Sequence, residues 1–281
     1  EICACLVGSE MCIRDRDNVA ETLLIPLWMR AEESKRSDAL FHDEISCKLV
    51  NSIDYDFSKF DKDKHSQNGV AIRTAYLDHI IEEYIKRENT PIIILIGCGL
   101  DPRIQRIRNN DKAIFYELDL PEVIELRREI LPEAKNEKYI SGSAFSIEWI
   151  KFLRERHPHN HFLFICEGLF MYFEETLVMQ CIQNLSYFFP GSNLYFERIS
   201  TLMCKNSNKQ KSVSNTKALF KWGVDNPYTI EKWSSNIKSV STFYYLDKRL
   251  KRWGIMGFIM RIIPALRHSF GIWGYYFTPN N

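Results

Sequence analysis

Ile92-Ile-Ile-Leu-Ile-Gly-Cys-Gly-Leu-Asp-Pro-Arg103 is the stretch on which the reading of this chain turns. Its first five residues are aliphatic without polar alternation, as a strand buried on both faces of a parallel sheet requires. Gly97-Cys-Gly99 follows directly. Glycine has no Cβ, so the backbone can turn sharply there and approach a ligand. In open α/β sheets, ligands bind outside the carboxyl ends of the strands, where strand order switches. A GxG alone also fits an ordinary strand–helix turn, so the flanking sequence has to decide.

Downstream, strand patterns recur at Ala113–Asp119, Lys138–Ser141, His161–Cys166 and Asn193–Ile199. Helical patterns lie between them, at Pro121–Leu131, Ile147–Arg156 and Glu174–Phe189. This alternation predicts βαβ units and a doubly wound, Rossmann-like α/β sheet, mostly parallel. Ile237–Leu246 and Ile272–Phe277 are two further strand-like runs, suited to an antiparallel edge. Upstream, residues 18–53 carry apolar residues at helical spacing, a polar loop spans Asp54–Asn68, and a third helix covers Gly69–Arg87. Asn89-Thr-Pro91 ends that helix. Trp253–Leu266 reads as a core helix broken at Pro264, since it is too short and too charged to span a membrane. Cys204–Thr216 is polar, a loop or helix start. Lys248-Arg-Leu-Lys-Arg252 reads as a solvated helix face.

The chain of 281 residues reads as one domain over 17–281: a helical cap (17–90), a binding core (91–200), and a lid with the sheet edge (201–281). Residues 5–16 (CLVGSEMCIRDR) look like translated adapter sequence or a disordered tail, not a leader. Thirty-seven basic residues nearly cancel 36 acidic ones, so no field favours nucleic acid or an anionic membrane as partner. Eight cysteines without CxxC spacing suit reduced thiols and a cytoplasmic setting. His157, His159 and His161 lie on a helix–strand loop and are not assigned a metal, and no metal is expected elsewhere.

Two acids and the glycines mark the binding edge. Asp119, twenty residues beyond Gly99, can accept hydrogen bonds from ribose hydroxyls, or cap the helix that starts at Pro121. Glu167 ends the fourth strand, where a carboxylate is out of place in a core. Gly168 permits close backbone approach, and Phe170 and Tyr172 either line a pocket or join the core. A nicotinamide dehydrogenase would want GxGxxG, with a helix start facing a pyrophosphate. Here Pro102 stands at the third glycine's position, which argues against it.

Together, Glu21-Thr-Leu-Leu-Ile-Pro-Leu27, Val70-Ala-Ile-Arg-Thr74 with Asp78, Ile96–Arg103, Phe115–Pro121, Cys166–Tyr172, Lys221-Trp-Gly223 and the Trp233 region resemble the leucine carboxyl methyltransferase family, in its bacterial branch of tetracenomycin-type polyketide O-methyltransferases. The resemblance covers roughly residues 18–277. It implies a class I methyltransferase fold and S-adenosylmethionine (SAM) as cofactor. Arg73 would hold the cofactor's carboxylate, with Arg30 or Lys35 sharing that task. Gly97 and Gly99 would pass beneath its amino-acid end, Asp119 would bind the ribose, and Glu167 would face the sulfonium. The family's usual acid beside the adenine is missing from Ser141-Gly-Ser-Ala-Phe-Ser146, which leaves Ala144 and Phe145 to hold that ring.

The implied activity is O-methylation of a carboxylate or phenol on a small molecule, in a pocket beneath the cap helices and a lid around Trp222. A carboxylate acceptor needs no general base; for a phenol, Glu167, Tyr172 or a cap histidine are the catalytic candidates. A SAM-binding module without catalysis remains the alternative from another class. The acceptor and the oligomeric state are not legible in the sequence.

Overall fold

The computed structural model describes residues 19–60, 63–206, 219–248 and 250–279. The expected tail, with Cys3, Cys5 and Cys12, and residues 207–216 of the polar run lie outside them. A seven-stranded sheet organises the rest: β1 (Ile92–Ile96), β2 (Ile114–Asp119), β3 (Glu137–Ser141), β4 (Phe162–Cys166), β5 (Asn193–Ile199), β6 (Ile237–Tyr244) and β7 (Phe270–Phe277). Their order is β3-β2-β1-β4-β5-β7-β6. β1 to β5 run parallel, and β7 is reversed between β5 and β6. Strand order reverses between β1 and β4, so the binding crevice lies beyond Ile96 and Cys166.

The aliphatic run of β1 works on both faces, because successive side chains point to opposite sides. Ile92, Ile94 and Ile96 pack with α5 (Glu148–Arg156) and α6 (Glu175–Phe188). Ile93 and Leu95 meet α3 (Lys64–Arg87) and α4 (Pro121–Ile130). Each such side chain contributes about 1.5–3 kcal/mol on burial. α1 (Val19–Ser34) and α2 (Glu44–Ser52) form the cap, where Leu24, Leu27, Trp28 and Leu49 pack with Leu100 of the glycine loop and with Leu126 and Ile130 of α4.

Several expectations need correction. α3 begins at Lys64 rather than Gly69, because the Asp63 carboxylate accepts from the Ser66 amide (3.1 Å) and caps it five residues early. The expected loop before it contains a 3-10 turn, Phe57–Phe60, whose phenylalanines are buried. Beyond β5 come α7 (Thr201–Lys205), α8 (Tyr228–Glu231), α9 (Leu250–Ile262) and α10 (Pro264–Arg267). The chain does break before Pro264, with Ile263 extended, as a residue preceding proline prefers. α9 is no core helix, however, since Ile255, Phe258, Ile259 and Ile262 are exposed. Nor is the basic run a solvated face throughout: the Arg252 guanidinium is buried and forks onto Glu33 (2.8 and 2.9 Å). The described cysteines are free, with Cys98, Cys166 and Cys181 buried.

Candidate functional site

The glycine loop is held from below by the sheet. The Gly97 and Cys98 amides both donate to the Leu118 carbonyl of β2 (2.8 and 3.2 Å). Gly97 and Gly99 have φ of 72° and 52°, a region closed to most side chains. A Cβ on Gly97 would stand 3.0 Å from Leu169, so the turn requires glycine twice over. Arg127 of α4, wholly buried, donates to the carbonyls of Gly99 (2.8 Å) and Asp101 (3.0 Å) and pairs with Glu117. This prop was not foreseen.

Between Gly99 and β2 there is no α-helix. Pro102 precedes a four-residue 3-10 turn, Arg103–Arg106. Without a helix start, nothing there offers the amide array that a pyrophosphate needs. The turn presents arginines inward instead. Arg103 binds Asp78 (2.8 Å), Asp101 (2.9 Å) and Glu167, and Arg106 binds Asp78 (2.6 Å), Asp101 (2.7 Å) and Asp43 (3.0 Å).

Arg73, on α3, reaches the same cluster from above. Its Nε donates to Glu167 (2.7 Å) and its Nη1 to both oxygens of Glu197 on β5 (3.0 and 2.8 Å). Its Nη2 has no hydrogen-bond partner among the described residues, and it lies 3.6 Å from the point where a Cβ on Gly168 would sit. Gly168 has φ 65°, and its amide donates to Glu197 (2.9 Å). The Tyr245 hydroxyl donates to Glu197 as well (2.7 Å). Glu197 and Tyr245 were missed in the sequence: the pattern NLYFERI gives no sign that its glutamate points inward.

Arg30 is buried between the cap and the loop. Its Nη2 donates to the Leu100 carbonyl (3.0 Å), and its Nε stands 3.5 Å from both Asp43 and Asp101. Lys35 is solvent-exposed and paired with Glu32 (2.5 Å), outside this cluster. In all, the guanidinium groups of Arg30, Arg73, Arg103 and Arg106 meet the carboxylates of Asp43, Asp78, Asp101, Glu167 and Glu197. The cluster therefore carries one more carboxylate than cations. Burial raises the Glu167 carboxyl, but Arg103 and Arg73 outweigh it and hold the group below its ordinary value. Asp101 is held well below: Arg106, Arg30 and Arg103 outweigh its burial.

Asp119 is different. Its two oxygens accept from the Gly99 and Leu120 amides (2.7 and 2.8 Å), and no cation among the described residues pairs with it. Burial pushes its carboxyl up, against those two hydrogen bonds. Beyond β3, the Ala144 carbonyl accepts from Trp149 Nε1 (3.3 Å), and Phe145 is half-buried with its ring 4.5 Å from that of Phe173. The acid on this side is Glu148, exposed and hydrogen-bonded to Ser146. Tyr172 packs on Phe220 (5.2 Å); burial and then Glu197 push its hydroxyl up to about 12. Trp222 is buried against Phe196 and Trp233, so Phe220 is the residue of that segment that meets the site.

The histidine loop is elsewhere. His157 is hydrogen-bonded to the Tyr116 hydroxyl (2.9 Å), and the open cleft lined by Arg154, His159, His161 and Tyr187 lies at the amino-terminal end of β4, away from the glycine loop. No group of potential metal ligands occurs among the described residues.

The chain is 26% identical over 92% of its length to the tetracenomycin polyketide synthesis O-methyltransferase TcmP of Streptomyces glaucescens, of which 97% is covered. It is also 26% identical to the SAM-dependent methyltransferase dpfgK of Gibberella zeae, covering 86% of this chain and 88% of that one. Among solved structures, a Thermobifida fusca protein described as a candidate methyltransferase superposes with a TM-score of 0.58 at 12% identity, over 89% of this chain and 94% of that one, which shows the shared fold. Residues 24–186 match the family described as leucine carboxyl methyltransferase, and the chain therefore belongs to that family of SAM-dependent methyltransferases.

Proposed function

We propose that the protein is an O-methyltransferase and that its acceptor is a carboxylate of a small molecule. The observation that carries this reading is that none of the catalytic candidates is placed as a general base. The cap histidines, His42, His65 and His79, are exposed to solvent. Glu167 is locked between Arg73 and Arg103 and held below the ordinary carboxylate range. Tyr172, with its hydroxyl pushed up to about 12, is protonated at neutral pH and cannot take a proton from the acceptor. A carboxylate is already ionised and needs no base. The names of the family and of the Streptomyces relative support oxygen as the acceptor atom.

The residues present fit SAM. Asp119, half-buried and without a cation, suits the hydroxyls of a ribose, which are neutral donors. Arg73 keeps Nη2 to donate to a carboxylate. The cluster's one carboxylate beyond its cations suits a sulfonium, and the loops at Gly97, Gly99 and Gly168 let the backbone come close. Ala144 and Phe145 offer the adenine a carbonyl edge and an aromatic face. Arg30 binds the loop rather than the cofactor and is a positioning residue. When bound, SAM supplies an electrophilic methyl group for in-line transfer to the acceptor oxygen. The chain's part is to align the two and exclude water.

The test is calorimetric titration with SAM, followed by transfer of labelled methyl to a panel of carboxylic acids and phenols. Transfer to acids, flat with pH above the acceptor's own ionisation, is expected. Transfer to phenols alone, rising with pH, overturns the carboxylate assignment. SAM binding with no transfer to any acceptor identifies a non-catalytic module.

A further inference from the structure

α9 and α10 form a surface that methyl transfer does not use. Ile255, Phe258, Ile259, Ile262 and Ile263 are 83%, 60%, 48%, 67% and 45% exposed. Spacings of three, four and seven residues place Ile255, Phe258, Ile259 and Ile262 on one helix face, and Ile263 follows in the extended break. Scattered exposed apolar residues are ordinary, but a contiguous set of five marks a contact surface. Gly254, at φ 61° and ψ −161°, breaks α9 just before this face, and the turn ahead of the break is anchored. Arg252 Nη1 donates to both oxygens of Glu33 of α1, the Asn68 amide of α3 donates to the Arg252 carbonyl (2.9 Å), and Trp253 stacks on His65 with ring centroids 6.2 Å apart.

Charge identifies that partner. From Lys248 to the end of the chain there is no Asp or Glu, whereas Lys248, Arg249, Lys251, Arg252, Arg261 and Arg267 all fall there. Arg252 and Arg267 are committed to Glu33 and Asp247, while Lys251 and Arg261 have no ion pair among the described residues. No helix among the described residues is long and apolar enough to cross a membrane, so such a face can lie on a bilayer but not span it. An apolar stripe flanked by cations enters the headgroup boundary of anionic lipid, with its charges at the phosphates. A second copy of this chain fits less well, since a two-fold contact brings two copies of the same basic patch together. We propose that the face Ile255–Ile263 docks the protein peripherally on an anionic lipid surface. The proposal revises the expectation from overall charge, which averages this local excess away, and it is independent of the methyl acceptor.

The experiment is co-sedimentation of the full chain with phosphatidylcholine vesicles, with and without phosphatidylglycerol, at low and high salt. Sedimentation with the anionic vesicles, weakened by salt, is expected. Lys251→Glu should weaken it at least roughly fivefold, the effect of losing one interfacial cation. Ile255→Glu/Phe258→Glu should abolish it with an unchanged thermal melt, because both side chains are exposed. No sedimentation with either vesicle, equal sedimentation with both, or wild-type binding by the double variant overturns the proposal. A dimer in light scattering that the double variant dissociates, without vesicle binding, assigns the face to a second copy and overturns it too.

Discussion

Two carboxylates at the strand ends respond to burial in opposite ways, and the difference predicts opposite mutant behaviour. Asp119 has only backbone amides for partners, so burial makes its charge costly. Asp119→Asn keeps an acceptor for the Gly99 amide while removing that charge. SAM affinity should fall about tenfold or more, the loss expected for hydrogen bonds to a charged group, while the thermal midpoint changes little. Calorimetry and a melt on the same sample separate the two effects. Glu197 is the reverse case. It binds Arg73, Tyr245 and the Gly168 amide at once, and it is nearly inaccessible. Glu197→Gln leaves a buried guanidinium short of a counter-charge. The expected cost is about 3–5 kcal/mol in urea unfolding, with SAM binding weakened because Arg73 loses its orientation. An unfolding curve matching the wild type would show that Arg73 is held by Glu167 alone.

Among the elements, the glycine loop depends on a prop that is invisible at the loop itself. Arg127 fixes the carbonyls of Gly99 and Asp101 and neutralises Glu117, an acid with no solvent access. Arg127→Met retains most of the volume and strands that acid; a loss of about 3–5 kcal/mol in denaturant titration is expected. β1 and β4 were legible because a strand covered on both faces must be almost wholly apolar, and the runs Ile92–Ile96 and HFLFIC announce it. Asp119 and Glu167 stood out as carboxylates at strand ends. Glu197 did not, because its strand, NLYFERI, mixes polar and apolar residues. Asp43 and Arg106 were equally hidden: each lies among ordinary surface-like residues, and partners 63 positions apart meet only after folding. The outward face of α9 was misread for a related reason. Apolar residues announce burial without saying against what.

At the scale of the molecule, the site is the seam between cap and sheet. Arg30 and Asp43 come from the cap, Arg73 and Asp78 from α3, Asp101 to Arg106 from the glycine loop, and Glu167 and Glu197 from β4 and β5. A cofactor that binds only the assembled seam stabilises the whole fold, by about 2.7 kcal/mol at a hundred times its Kd. The pH dependence of that increment tests the assignment of Asp119. Asp101 and Glu167 have folded values below the unfolded carboxyl value, so they add stability above the unfolded value and lose it as pH falls through the folded one. Asp119 is raised, so its ionised form, the form that accepts from a ribose, disappears first as pH falls. Melts with and without SAM from about pH 8 to about pH 4 should therefore show the cofactor's increment shrinking before the protein itself loses stability. In Asp119→Asn the increment should be small and flat across that range. A wild-type increment that stays constant down to acid unfolding would remove Asp119 from the cofactor site and leave the ribose to another group.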